Sequence, residues 1–322
     1  GMRVLIVGAG ALGTCYASLL ARAGVEVAVL VRPERIETMP SRLRVSGIVE
    51  AEERVRVTAS GREVGAVDYL VLSTKSRDTA GALEHARGVE PETALSLQNG
   101  PEKNTGLVQH FGAGRVIGAA CAVGASVIEP GHARLTMNRA TWLGELAGGT
   151  SERVVRLVAV LRAAGFPSWS VPDIRAVEWY KLCALLPGAL VTALSRRPYD
   201  EMALHPDLAD LFVQIMRETF AVPQAAGVAI GTDPPGSPWQ FAAWLRAPDE
   251  VALAGLRAIG EQMRAAGQTV QPSLMQDILA RRGTEAEDMV GGLIPEAHRL
   301  GVQLPATETC YRLVRGLQRR GS

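Results

Sequence analysis

The hydrophobic pattern changes period partway along this chain. At the front, Arg3 to Val7 is a short β-branched run, "GAGALG" follows, and "TCYASLLARAG" then repeats its apolar positions every three to four residues. A second apolar run, "VEVAVLV", ends at Val31, so strand, glycine turn, helix and strand are predicted in succession. "DYLVLSTKS" (68–76) and "TALSLQNG" (93–100) read as buried strands that end in polar residues. Four more strands are predicted in "RVIGA", "GASVI", "HARLTM" and "TWLGEL", ending near Leu146, and a helix over 152–164. This alternation of strand and helix predicts an α/β, Rossmann-type doubly wound domain over residues 1–170.

From Ile174 onward the spacing is helical. Helices are predicted over 176–194, 206–226, 249–266, 273–281, 284–300 and 305–318, with "GTDPPGSP" (231–238) as a loop. The back half, 171–322, is therefore an all-α helical domain, joined through a linker near Pro167–Asp173. No period of 20–50 residues repeats, so a solenoid is excluded. Two such domains leave a cleft between them, a common place for small-molecule sites.

Composition narrows the class. A formal net charge of +1 gives no basic field for nucleic acid and no acidic tail. The cysteines (Cys15, Cys121, Cys183, Cys310) are scattered without CxxC spacing, which argues for reduced thiols in a cytoplasmic protein and against a zinc or other metal site. The first apolar run is broken by glycine too early for a signal peptide or a membrane span.

The glycine turn carries the first chemistry. Gly8, Gly10 and Gly13 fall on GxGxxG spacing between a strand and a helix. The first glycine permits the tight turn, the second leaves room for a pyrophosphate, and the third lets helix and sheet pack closely. Backbone amides at the helix N-terminus then meet the phosphates. The second strand ends in Val31 and Arg32, where an NAD enzyme usually carries an acid, and an arginine there suits a 2′-phosphate. NADP(H) is thus the expected cofactor, although Arg32 on a solvated loop is the plainer alternative. Strand ends elsewhere should direct Lys75, Gln98 and Asn99 at the same ligand.

One lysine stands out in the back half. In "VEWYKLCALLPGALVTALS" (177–195), almost everything after Lys181 is apolar. Lys181 either snorkels to water beside Glu178, three residues earlier, or is held for chemistry.

The segments "GAGALG", "LQNG", "WYKL…TAL" and "PSLMQDILARRGTE", in that order, resemble the ketopantoate reductases (2-dehydropantoate 2-reductases) over nearly the whole chain. The resemblance implies an NADPH-binding Rossmann domain, a helical domain for substrate and dimerisation, and reduction of a 2-oxo acid to a 2-hydroxy acid in pantothenate biosynthesis. It implies Lys181 and Glu285 as catalytic residues and Asn99 and Ser273 as substrate ligands. Gly8, Ala9, Gly10, Ala11, Leu12, Gly13, Arg32, Lys75 and Asn99 are the implied cofactor contacts. No metal and no macromolecular partner beyond a second copy of the chain is implied.

The chemistry suits those residue types. Hydride delivered to a ketone carbon leaves an alkoxide, which a lysine ammonium can stabilise and then protonate. Enzymes bring a lysine from its usual pKa of about 10.4 to roughly 7–8 by partial burial. Plainer roles exist here too: Glu285 as a first-turn acid beside a Thr284/Glu287 capping box, and Ser273 as a helix-start residue. The five histidines (His85, His110, His132, His205, His298) have no triad or metal spacing and read as structural or surface residues.

The chain departs from the family in one respect. Where typical members carry asparagines four and eight residues after the lysine, it has Leu185 and Ala189, and Val290 replaces another before Gly291. Positions 181, 185 and 189 share a helix face, so a more apolar 2-oxo acid than ketopantoate is expected. Two other readings compete. An opine or hydroxyacyl dehydrogenase shares the two-domain plan, but the latter needs a histidine that the "LQNG" strand end does not offer. A non-catalytic NADP-binding sensor would need none of Lys181, Ser273 and Glu285.

Overall fold

In the computed structural model of the chain, residues 1–318 are described. They divide into two compact units: 1–178 together with 234–238, and the remainder. The dividing line falls inside a helix, a few residues beyond the 170/171 boundary expected from the linker.

In chain order the first unit comprises β1 (Arg3–Val7), α1 (Ala11–Arg22), β2 (Glu26–Leu30), β3 (Arg42–Gly47), β4 (Ala51–Arg54) and β5 (Arg56–Thr58). There follow β6 (Ala66–Leu72), α2 (Thr79–His85), β7 (Glu90–Ser96), α3 (Thr105–Phe111), β8 (Ile117–Glu129), β9 (His132–Glu145), α4 (Glu152–Ala163) and β10 (Ser168–Ser170). The unit ends in the first turn of α5 (Ile174–Ser195).

Five strands form an all-parallel sheet in the order β5-β2-β1-β6-β7. Both faces are covered, which is why its strands read as continuous apolar runs. Val4 and Ile6 face one core, and Leu5 and Val7 face another. Because all five strands run the same way, their C-terminal ends share one edge. That edge carries "GAGALG", Arg32, "STKS" and "LQNG".

The second sheet runs β10-β9-β3-β4, with β8 paired to β9. The four strands expected between 115 and 146 are in fact two long antiparallel ones, β8 and β9. Gly124, which reads as a break in sequence, marks a register shift inside β8, and the pairing continues past it. The short strands β3, β4 and β5 escaped the pattern because they are only three to six residues long and charged residues break up their apolar positions.

The second unit is helical: the rest of α5, then α6 (Tyr199–Leu204), α7 (Pro206–Ala225), α8 (Asp249–Ala265), α9 (Ser273–Leu279), α10 (Leu293–Arg299) and α11 (Pro305–Leu317). Helix α5 is long and apolar enough to cross a membrane, but 72% of its most apolar window is buried in the protein, which makes it the core helix of this unit. Pro187 sits within it and donates no hydrogen bond. The Cys183 carbonyl one turn earlier accepts the Thr219 hydroxyl of α7 at 3.4 Å. The single helix expected over 284–300 is interrupted: Glu287–Gly291 forms a π turn before α10 begins. Helix α9 stops at Leu279, short of the expected Arg281, which adopts a left-handed conformation (φ 55°) while the Arg282 amide caps the Asp277 carbonyl at 2.8 Å.

The segment Pro234–Pro238 leaves the helical unit and joins the first. The Trp142 indole donates to the Pro235 carbonyl at 2.7 Å, and Gly236 (φ 71°) lies flat on the Trp169 ring.

Candidate active site

The glycine turn follows directly from β1. Gly8 has φ 100°, a conformation that other residues reach only with strain, and its amide donates to the Leu30 carbonyl of β2 at 2.9 Å. A Cβ on Gly13 would stand 2.0 Å from the Gly8 carbonyl oxygen, so this helix turn can approach the loop only without a side chain. The Ser73 hydroxyl braces the same loop from β6, donating to the carbonyls of Val7 and Gly8 at 3.1 and 3.0 Å. A Cβ on Gly10, by contrast, would meet nothing within 4 Å. Gly10 is the N-cap of α1, no side chain caps it, and the first turn holds no acid. Its amide donors and dipole are therefore available to an anion, and the residues fit a dinucleotide pyrophosphate.

Around that turn lie the other strand ends. Arg32 follows β2 and is paired loosely with Glu34 at 3.9 Å, both side chains being about half exposed or more. An ion pair of that kind is worth little and is readily exchanged for a phosphate. Lys75, beyond β6, is exposed. Asn99, beyond β7, is half-buried, and its carbonyl accepts the Ser76 hydroxyl at 3.3 Å. The edge thus gathers Gly8 to Gly13, Arg32, Lys75 and Asn99.

Gln98 behaves otherwise. It is buried, its side-chain nitrogen donates to the Thr74 carbonyl and to the Thr79 hydroxyl at 3.0 and 2.8 Å, and its side-chain oxygen accepts from Ser96. Rather than facing a ligand, it ties the end of β7 to the loop after β6.

In the second unit, Lys181 is half-buried on α5, Ser273 is exposed at the first position of α9, and Glu285 is half-buried just before the π turn. Their neighbours Leu182, Leu274 and Ala286 belong to one apolar core, which joins the three segments. The expected Thr284/Glu287 capping box does not form. The Glu287 carboxylate instead accepts the Tyr311 hydroxyl, and the Thr284 hydroxyl accepts the Ala286 amide at 3.3 Å. Along α5, Leu185 keeps some exposure, while Ala189 is 3% exposed within the core.

Some residues close along the chain to the predicted site residues have partners that the sequence does not reveal. Tyr180, next to Lys181, is fully buried, with its hydroxyl against the Asp233 carboxylate and accepting the Phe241 amide at 3.1 Å. Lys103 and Asn104, just past "LQNG", both engage Glu178. An aromatic or a lone lysine carries no local period that marks such a partner. No group of three or more His, Cys, Asp or Glu side chains suited to a metal occurs among the described residues.

Comparison with known proteins gives a consistent picture. Residues 4–148 match the family described as Ketopantoate reductase PanE/ApbA, and residues 173–318 match its C-terminal counterpart. A 2-dehydropantoate 2-reductase of Mesorhizobium japonicum is 30% identical over 261 residues, covering 72% of this chain and 79% of that protein. The crystal structure of 2-dehydropantoate 2-reductase from Geobacter metallireducens superimposes with a TM-score of 0.81 at 26% identity, covering 98% of this chain and 99% of the other. A D-mandelate dehydrogenase, solved with NADH and anilino(oxo)acetate, shares the fold at a TM-score of 0.80 and 18% identity, with 98% of each chain covered.

Proposed function

We propose that this chain, which belongs to the ketopantoate reductase family, reduces a 2-oxo acid with NADPH, Lys181 serving as general acid. As a member of that family it is an oxidoreductase acting on a CH–OH group. The observation that carries the reading is the sheet edge where an uncapped helix N-terminus over an open glycine adjoins two basic side chains and Asn99. Gly8 to Gly13 would hold the pyrophosphate, and Arg32 and Lys75 the 2′-phosphate. Bound NADPH supplies the hydride. The ammonium of Lys181 polarises the substrate carbonyl and passes its proton to the oxygen as negative charge develops there, to be re-protonated from solvent. Ser273 and Asn99 hydrogen-bond the substrate, and Glu285 orients the lysine. A cytoplasmic homodimer belongs to the same proposal, the four buried free thiols suiting a reducing compartment.

NADPH is expected to bind about one to two decades more tightly than NADH, since a charge-assisted contact contributes roughly 1.5–3 kcal/mol. Arg32→Ala should erase most of the difference in a fluorescence titration. Equal affinity of the unmodified protein for both cofactors would refute the assignment.

Leu185 shapes the choice of substrate. A substrate hydroxyl buried beside it lacks a partner, at a cost of about 1–3 kcal/mol. The D-mandelate dehydrogenase that shares the fold was captured with a 2-oxo compound bearing an apolar group. We expect kcat/KM for ketopantoate at least about tenfold below that for the best branched or aromatic 2-oxo acid, in line with that cost. Leu185→Asn should narrow the gap. Ala189 is left unchanged in this test, because an asparagine in its apolar surroundings would bury an amide. A preference for ketopantoate that Leu185→Asn does not increase would count against the idea.

A further inference from the structure

A buried ion pair joins two stretches of chain that each adjoin a predicted site residue, without including one. The Lys103 ammonium is 3.7 Å from the Glu178 carboxylate, and their side chains are 5% and 12% exposed. The Asn104 side-chain nitrogen donates to both Glu178 oxygens, at 3.3 and 3.0 Å. Lys103 also donates to the Ala119 carbonyl of β8. Burial pushes the Glu178 carboxyl above the usual carboxylate range, and the Lys103 charge pulls it back.

The start of α5, which carries Glu178, rests on a seat of glycines. Gly118 of β8 and Gly144 of β9 are directly opposite in the antiparallel pairing. A Cβ on Gly118 would stand 2.6 Å from both Glu178 Oε1 and Ile174 Cγ2, and one on Gly144 would stand 2.9 Å from Ile174 Cβ. Ile174 and Glu178, at the start of α5, therefore lie closer to this hairpin than a side chain at either glycine would permit without a shift. Ile174 and Glu178 are four residues apart and share one helix face, so the apolar wedge and the polar hold act on successive turns.

Stability alone is a poor reason for such a pair. Desolvating two charges offsets most of their attraction, and apolar replacements often serve the fold as well. What the pair does supply is direction: a carboxylate held by two donors from one loop has one setting. Its place along the chain gives that setting a use. Lys103 follows Asn99 by four residues, and Glu178 precedes Lys181 by three on the same helix.

We infer that Glu178, held by Lys103 and Asn104 on the glycine seat, is a positioning residue that fixes the rotation and axial setting of α5, and with it the direction in which Lys181 presents its ammonium. The inference rests on the reductase reading above. Glu178 touches neither substrate nor cofactor in this role. It acts through the helix that it shares with Lys181.

Glu178→Gln keeps the shape of the side chain and removes its charge, and Lys103→Met removes the other half of the pair. Both are assayed beside the unmodified protein and Lys181→Ala, with NADPH affinity from fluorescence and Tm from circular dichroism. The expected result is a fall in kcat of at least tenfold at a temperature well below Tm, with NADPH affinity and KM within threefold. Lys103→Arg, which retains the cation, should recover part of the rate. Should both variants keep kcat within threefold of the parent and lose only Tm, the pair is a structural tie and the inference is overturned. A loss of NADPH affinity that accounts for the whole loss of rate overturns it equally. If the unmodified protein turns over no 2-oxo acid, the functional reading fails by itself. Amide hydrogen exchange over 174–185 then decides the positioning role: faster exchange in Glu178→Gln supports it, and unchanged exchange ends it.

Discussion

Replacing Lys181 by alanine is expected to lower kcat by about 10²–10⁴-fold while NADPH affinity stays within a few-fold of the parent. The size follows from the chemistry. Without a positioned acid, the oxyanion formed at the substrate must wait for water, and the charge that stabilises it in the transition state is gone. The fold should tolerate the change. Lys181 is half-buried in a helix whose core contacts come from Tyr180, Leu182, Cys183 and Leu186, and alanine has the best helix propensity. The measurement is steady-state oxidation of NADPH with a confirmed 2-oxo acid, alongside the binding titration. Turnover that survives the substitution would make Lys181 an ordinary half-buried lysine within α5.

The second large effect separates two glycines of one motif. Gly10→Ala adds a methyl group into open space, at φ −77°, so the free protein should keep its Tm. That space is where a pyrophosphate would lie, and crowding it costs about 1–3 kcal/mol, or roughly one to two decades in NADPH affinity. Gly13→Ala does the opposite. Its Cβ would meet the Gly8 carbonyl oxygen at 2.0 Å and the Ser73 hydroxyl at 2.6 Å, and that backbone has nowhere to go. Here the free protein itself should lose several degrees of Tm, at about 2–4 °C per kcal/mol for a domain of this size. Calorimetry and titration on the two variants distinguish the roles. An alanine at position 10 that leaves NADPH binding untouched would remove the pyrophosphate from this turn.

The glycine turn was legible in the sequence because everything it needs is local: a strand, three glycines at fixed spacing and a helix within twenty residues. The same holds for the long helices α5, α7 and α8, whose apolar spacing persists for several turns. Gln98 was misread because a polar residue at a strand end is ambiguous: one position decides whether it faces ligand or neighbouring loop, and Thr74 and Thr79 claimed it. The two long strands of the second sheet were cut in four because Gly124 in β8 and the polar Asn138 and Arg139 in β9 read as punctuation when the partner strand is unseen. The hold on Glu178 is hidden more deeply. Asn104 and Glu178 are 74 residues apart, and nothing in a single sequence pairs them. The sequence suggested Glu178 only as a companion to Lys181 on the same helix, while the structure turns its carboxylate to Lys103 and Asn104.

The strap formed by Pro234–Pro238 bears on how this protein can be divided. Its first unit is not a continuous stretch of chain, because five residues from far downstream close over Trp142 and Trp169. A gene shortened to end at Glu178 would encode every strand of both sheets, yet it would omit the carbonyl that satisfies the Trp142 indole and the glycine that covers the Trp169 ring. Those are the only two tryptophans before residue 179, so the cut would strip cover from both at once. The first unit is compact in space but not continuous in the reading frame, and exchanging it between relatives means carrying the strap along.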